Sequence, residues 1–178
     1  MLLIDSDFLA YKAAQACEIG IDFGNDVIIS QSQFSDVLRV FENELDKVTK
    51  AMMNDDFILY FSSTKNFRKK IFPDYKGHRN KRKPLGYRRL INHCKEHYKY
   101  CIRPDLEADD AIGIDATKFS DPANIVVSPD KDMKQIPSNL WNLTDDVIEI
   151  TVEDGDRWHL VQTLSGDPTD GYSGCPGI

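Results

Sequence analysis

The segment LEADDAIGIDA, Leu106 to Ala116, sets Glu107, Asp109 and Asp110 within four positions and then continues as an apolar helix. Acids favour a helix's first turn, where exposed N–H groups and the positive end of the dipole meet them, so capping alone is one reading. Five further carboxylates bear on it: Asp5 closes the apolar MLLID, Asp130 and Asp132 stand in SPDKDMKQI, and Asp167 and Asp170 stand in LSGDPTDGYSG. Eight carboxylates in one cleft would repel, and burial would raise their pKa values until several were protonated, unless cations compensated them. Hard divalent ions do this, and Mg²⁺ or Mn²⁺ prefers carboxylate and water to His or Cys. Two such ions about 4 Å apart can activate a water and stabilise the leaving oxygen of a phosphodiester. Asp7 is a neighbour with a structural role as its alternative. His93, Cys94 and His97 could share a helix face, but no fourth ligand is in view.

Charge is segregated along the chain. The 178 residues carry a net charge of −7, yet Lys65 to Arg89 holds eleven basic residues against one acid, Asp74, a local charge of +10. Arg68, Lys69, Lys76, Arg79, Lys81, Arg82 and Lys83 belong to this strip, and the rest of the chain is strongly acidic. A basic strip on an acidic body is the footprint of a polyanion site, with a solvated charged loop as the alternative. Nucleic acid is the partner that strip and carboxylates share, and phosphodiester hydrolysis is the reaction they imply together.

These side chains need a scaffold that brings them to one place. MLLID reads as a buried strand and FLAYKAAQA as a packed helix; Phe34, Val37, Leu38, Phe41, Leu45, Val48 and Met52 fall at helical spacing. FILYFSS (57–63), YKYCI (98–102), NIVVS (124–128) and LWNL (140–143) read as further strands. Pro84 suits the first turn of a helix that buries Leu90, Ile91 and Cys94, and DRWHLVQTL reads as a later helix. Strands alternating with helices predict an α/β domain with a largely parallel central sheet, whose sites form beyond the carboxyl ends of the strands. Asp5, Ser62 and Ser63, Glu107 to Asp110, and Asp130 with Asp132 all stand at such ends. The 41% hydrophobic content suits one domain, and the four scattered cysteines suit reduced thiols. MLLIDSDFLA lacks the features of a signal peptide, and no apolar run has membrane length, which predicts a cytosolic protein without a membrane partner.

A rival fits some of the same residues. LLIDSD ends a strand with the DxD of haloacid dehalogenase-type phosphatases, ILYFSS could supply a hydroxyl, and GDPTD echoes a final acidic motif, making Asp5 a covalent nucleophile and Asp7 an acid/base. In that family the last GD ends a hydrophobic strand, whereas Gly166-Asp167 follows a helix-like segment, and the basic strip is left without work.

The ordered set LLIDSD, NFRKKIFPDYKGHRNKRKP, LEADDAIG, SPDKDMKQI and GDPTDGYSGCPGI resembles the flap endonuclease and 5′-to-3′ exonuclease superfamily, most closely its phage exonucleases. The resemblance implies a PIN-like, Rossmann-like three-layer catalytic domain over residues 1–165, with a basic arch or clamp at about 64–89. The start of a helix-hairpin-helix region would follow at 166–178. It implies two Mg²⁺ or Mn²⁺ ions on Asp5, Glu107, Asp109, Asp110, Asp130, Asp132, Asp167 and Asp170, with Asp5, Asp130 and Asp132 catalytic. Lys76 and Arg79 would contact the scissile phosphate, and Tyr75 would stack on a base, with packing as its alternative. Gly174 and Gly177 would belong to a turn that holds duplex phosphates through backbone N–H groups and a bound K⁺. The substrate implied is DNA with 5′ ends or flaps, extending to RNA annealed to DNA, during phage replication or recombination.

Two departures stand out. The family places an aspartate after the second strand, where this chain has Ser62 and Ser63, so a nuclease-like binding protein with weakened catalysis is the second reading. Ile178 falls inside the hairpin turn, which implies weak duplex binding by this chain alone. An RNA-cleaving PIN toxin is a third reading, though the long basic segment and hairpin start are not expected in such small domains.

Overall fold

The computed structural model describes residues 1–78, 82–118 and 123–177. In chain order the elements are β1 (Leu2–Asp5), α1 (Ser6–Ala16), β2 (Ile19–Asp22), β3 (Ile28–Gln31), α2 (Phe34–Met52), β4 (Phe57–Tyr60), α3 (Arg68–Ile71) and α4 (Tyr87–His97). There follow β5 (Tyr100–Cys101), α5 (Ala108–Lys118), β6 (Ile125–Val127), a 3-10 turn (Lys131–Gln135), β7 (Ser138–Trp141), β8 (Ile148–Ile150) and α6 (Val152–Ser165).

A six-stranded sheet runs β5-β4-β1-β6-β7-β8. The neighbours from β5 through β7 pair in parallel, and β8 pairs antiparallel to β7. The register sets Leu2 beside both Phe57 and Ile125, which makes β1 central. Side chains alternate across a strand, so each face gathers its own core. Leu2 and Ile4 pack with Leu9, Phe41, Leu59 and Leu90 under α1, α2 and α4. Leu3 packs with Tyr60, Ala111, Ile112, Val126 and Met133 under α5. The expected three-layer α/β architecture is therefore present. By the same alternation Asp5 shares the α5 face with Leu3, and it stands at the carboxyl end of the central strand.

Several sequence readings shift. The strands pair over fewer residues than their apolar runs: FILYFSS pairs only over 57–60 and YKYCI only over 100–101. The helix assigned from DRWHLVQTL begins earlier, at Val152, because Thr151 and Asp154 form a reciprocal capping box. Pro84 does not open a helix; α4 starts at Tyr87, after Gly86 at φ +85. The Leu85 N–H donates to Glu18 Oε2 at 2.8 Å, which turns the chain away from helical geometry there. The antiparallel hairpin β2–β3 was not anticipated, although IGID and IIS flank a turn with positive φ at Gly24, Asn25 and Asp26. No helix among the described residues is long and apolar enough to cross a membrane.

Helix α6 presses on the 3-10 turn through Gly155, where an added Cβ would meet the Gln135 carbonyl oxygen at 2.8 Å. Alanine improves helix propensity by up to about 1 kcal/mol over glycine. Overpacking against backbone outweighs this, so Gly155→Ala should destabilise the protein by about 1–3 kcal/mol. Urea unfolding reads the effect; an unchanged or raised midpoint would show that α6 has room to spare.

Candidate functional site

The acids come to the carboxyl edge of the sheet by different local devices. Asp5 ends β1, and its Oδ2 accepts from Ser128 Oγ at 2.9 Å, just past β6. Asp130 is the N-cap of the 3-10 turn, its Oδ1 accepting from the Asp132 N–H at 2.9 Å. Asp109 and Asp110 lie in the first turn of α5, whose Ala108 N–H donates to Ser62 Oγ at 3.0 Å. Ser62 thus caps α5 from the strand beside it. Asp110 Oδ2 accepts from the Glu107 N–H at 3.0 Å. Capping and site building use the same residues.

Half of the acid set is neutralised by the chain's own cations. Arg68 grips Asp110 with a two-pronged fork at 2.6 and 2.7 Å. Lys76 Nζ lies 3.1 and 3.0 Å from the two Glu107 oxygens and 3.5 Å from Asp170 Oδ1. Lys131 pairs with Asp167 at 2.8 Å. Burial opposes ionisation of Asp110 and Asp167, but the hydrogen bonds from Arg68 and Lys131 outweigh it and hold both below the usual carboxylate range. Arg68 is held charged chiefly by the Asp110 hydrogen bond.

The other half is short of positive charge. Burial, then Asp7, Asp109 and Asp130, push Asp5 up to about 7 against the Ser128 hydrogen bond. Burial, then Glu107 and Asp110, push Asp109 up to about 6. Asp132 is also raised, mainly by burial, with Gln162 opposing through a hydrogen bond. Among the described residues neither Asp5 nor Asp109 has an ion-pair partner. Such carboxylates suit a hard divalent cation, since every donor is oxygen and charge compensation is lacking. Among the described residues, however, no three His, Cys, Asp or Glu side chains are gathered as they stand to hold one ion. Instead of the single convergent cluster that the sequence implies, an uncompensated group around Asp5, Asp109 and Asp130 stands beside a cation-paired group of Glu107, Asp110, Asp167 and Asp170.

Asp109, Asp110, Asp132, Asp167 and Asp170 line a cleft of about 860 Å³ between α3, α5, the 3-10 turn, α6 and the turn after it. Arg68 lines it too, while Lys69 is exposed outside the ion-paired set. Arg82 turns away to Glu18 and Ser30 at the hairpin base, which competes for its charge. Lys83 sits over the rings of Tyr87 and Tyr11, at 4.9 and 5.5 Å from their centroids. Arg79 and Lys81 lie outside the described residues. Tyr75 is buried, donates to Glu107 Oε2 at 2.7 Å and holds Lys76 Nζ 4.8 Å from its ring centroid. Its 8% exposure fits the packing alternative in this conformation, although the residue also lines the cleft. Gly166 and Gly174, both at positive φ, cross so closely that a Cβ on either would lie 2.5 Å from the other's nitrogen. Gly177 also has positive φ, with open space around it.

Sequence reasoning left Asp7 between two roles, and the structure makes it a brace: its oxygens accept from Tyr87 OH and the Ser62 N–H, each at 2.9 Å. Ser128, Tyr87, Gln135 and Gln162 were missed. None carries a spacing signal: Ser128, Tyr87 and Gln162 meet a carboxylate, and Gln135 meets Gln162, only through the fold.

The family model for the 5′-3′ exonuclease, N-terminal resolvase-like domain, matches residues 1–162. The chain belongs to this family. The chain is similar to an exodeoxyribonuclease of Enterobacteria phage T3, 34% identical over 99% of the chain, and to an exonuclease of Escherichia phage T7, 33% identical over 99%. It spans 63% of the length of each of these two relatives. A flap endonuclease, Xni, of Shewanella pealeana is 32% identical over 64% of the chain and 50% of its own length. In fold the chain resembles a bacteriophage T5 flap endonuclease solved with DNA and metal ions, at a TM-score of 0.70, 16% identity, and coverage of 99% of this chain and 70% of that one. A T5 5′-exonuclease solved with zinc gives a TM-score of 0.70 and 16% identity over 100% of this chain and 70% of that one. The phosphatase alternative falls with family membership, and Asp7, braced at both oxygens, is ill placed for acid/base work.

The uncompensated carboxylates set a pH dependence. Their folded pKa values, about 7 for Asp5 and about 6 for Asp109, lie above the unfolded value of about 4. The folded protein therefore binds more protons than the unfolded chain across this window, and their stabilisation, full below about pH 4, is lost as pH rises through 6 and 7. Thermal melts in chelator should show falling Tm from about pH 5 to 7.5, and Asp5→Asn should flatten the fall. A Tm that rises over this window would contradict the assignment.

Proposed function

We propose that the chain is the catalytic domain of a divalent-metal-dependent 5′-3′ exonuclease or flap endonuclease that hydrolyses phosphodiesters at 5′ ends of DNA and of RNA annealed to DNA. The observation that carries this reading is Lys76 bound to Glu107 and Asp170, which sets a phosphate-binding cation against the acidic edge. Lys76 is held in the left-handed region at φ 54, its N–H donating to the Asp170 carbonyl at 3.0 Å. A non-glycine residue is kept there only when its surroundings over-determine it, as at functional sites.

Asp5, Asp109, Asp130 and Asp132 would hold Mg²⁺ or Mn²⁺, and Glu107, Asp110, Asp167 and Asp170 would complete a second position on release from their cations. When bound, such ions supply water activation and stabilisation of the leaving oxygen. The chain's own part is charge exchange. Lys76 moves from carboxylate to phosphate and offsets charge that develops in the transition state, with Arg79 beside it in the same segment. Arg68, Lys69, Arg82 and Lys83 track the backbone without reading sequence. Asp7, Ser62 and Tyr87 keep the end of β1 and the start of α5 in register. Gly174 and Gly177 would begin a backbone turn for duplex phosphates, and a complete hairpin there would hold K⁺.

Cleavage of a 5′-labelled flap and of a 5′-recessed duplex tests the reading. Metal-dependent release of short 5′ products is expected, lost in Asp132→Ala and reduced roughly 100-fold or more in Lys76→Ala. Absence of cleavage with Mg²⁺ and with Mn²⁺, while single-stranded DNA still binds, would favour the nuclease-like binding protein, a reading that the self-paired carboxylates support. Ser63→Asp then separates an impaired site from a sufficient one: a large gain in cleavage marks the former, and no gain the latter.

A further inference from the structure

Behind Asp132 lies a directed chain of side-chain hydrogen bonds that the nuclease reading does not use. Gln162 Nε2 donates to Asp132 Oδ1. Gln135 Nε2 donates to Gln162 Oε1 at 2.6 Å, and His159 Nδ1 lies 2.7 Å from Gln135 Oε1. The polarity is dictated from one end. An ionised carboxylate only accepts, so Gln162 must present its NH₂ to Asp132 and its carbonyl to Gln135. Gln135 must then donate forward and accept behind, which requires a proton on His159 Nδ1. Every donor in the chain points toward Asp132.

The backbone is built to make the chain. Gly155, His159 and Gln162 fall on one face of α6 at positions i, i+4 and i+7. The missing side chain of Gly155 lets that face approach Gln135, since an added Cβ would lie only 2.8 Å from its carbonyl oxygen. Lys134 Nζ adds a contact 5.2 Å from the Trp158 ring centroid. Gln135 and Gln162 are partly buried. Asp132 is thus held at three points: its N–H on Asp130, its Oδ1 on Gln162, and Lys131 at 3.9 Å.

Resting on the reading of Asp132 as a metal-site carboxylate, we propose that Gln162, Gln135 and His159 form a positioning relay that orients Asp132 and sets its affinity for a divalent cation. The relay holds Oδ1 of a residue that lines the cleft. Partners behind a ligand that orient it commonly change metal affinity by about 10–100-fold when removed. Gln162 and Gln135 also line the cleft, and in this proposal they act through Asp132, which Gln162 reaches directly.

Two readouts that do not depend on cleavage test this on the full chain. In NMR spectra of the protein without metal, Asp132→Ala should shift the side-chain NH₂ signals of Gln162 and also of Gln135; an unmoved Gln135 signal overturns the relay. In calorimetric titration with Mn²⁺ alone, Gln162→Ala should weaken binding about 10–100-fold, with wild-type Tm, and His159→Phe should weaken it less. His159→Asn, which keeps a side-chain N–H, should restore part of that loss. Wild-type Mn²⁺ affinity in Gln162→Ala overturns the proposal. Wild-type affinity in Asp132→Ala instead overturns the metal reading of Asp132, and the amide shifts then decide by themselves whether the relay exists.

Discussion

Negative charge out of water at the end of the central strand is the constraint on which the rest of this structure turns. Asp5 must follow Leu2, Leu3 and Ile4 because β1 is buried on both sides, and strand alternation then directs it to the face where α5 begins with Asp109 and Asp110. Desolvation and mutual repulsion drive Asp5 and Asp109 toward protonation. Nearby acids are held ionised by Arg68 and Lys131. The same edge thus contains carboxylates that are already compensated and carboxylates that demand a cation.

This division explains the arrangement of the basic strip. Among the described residues, part of the +10 segment folds back onto acids while Lys69 and others stay exposed. Arg68 and Lys76 fold onto the carboxylates, and Arg82 is drawn to Glu18. In the function proposed above, phosphate and divalent cations would compete for the pairs that Arg68 and Lys76 make in the cleft. On that proposal the strip would be counter-ion first and grip afterwards. Tyr75 follows from this: it is buried because its hydroxyl and ring support Glu107 and Lys76.

The far wall of the cleft is held by close backbone approach. Gly155 brings α6 against the 3-10 turn, and Gly166 and Gly174 let the chain cross itself where Asp167 and Asp170 turn back toward Lys131 and Lys76. These contacts put two acids from a segment more than 150 residues after Asp5 at the same edge, so that side-chain geometry at the cleft depends on helix packing behind it.

Local chemistry by itself determined much of the architecture. An apolar run ending in an acid is a buried strand with a site at its end, and helical spacing from Phe34 to Met52 can face only one core, so β1, α2, the parallel sheet and the carboxylate edge were legible. Pairings were not. Ser128 and Asp5 are 123 positions apart, Arg68 and Asp110 are 42 apart, and Gln162 and Asp132 are 30 apart, distances over which spacing carries no signal. The burial of Tyr75, the bracing of Asp7 and the turning away of Arg82 likewise needed the partner in place. Sequence sets which groups are charged and where strands end; only tertiary packing decides which charges lose water, and desolvation is what makes each carboxylate choose a lysine, an arginine or a free cation.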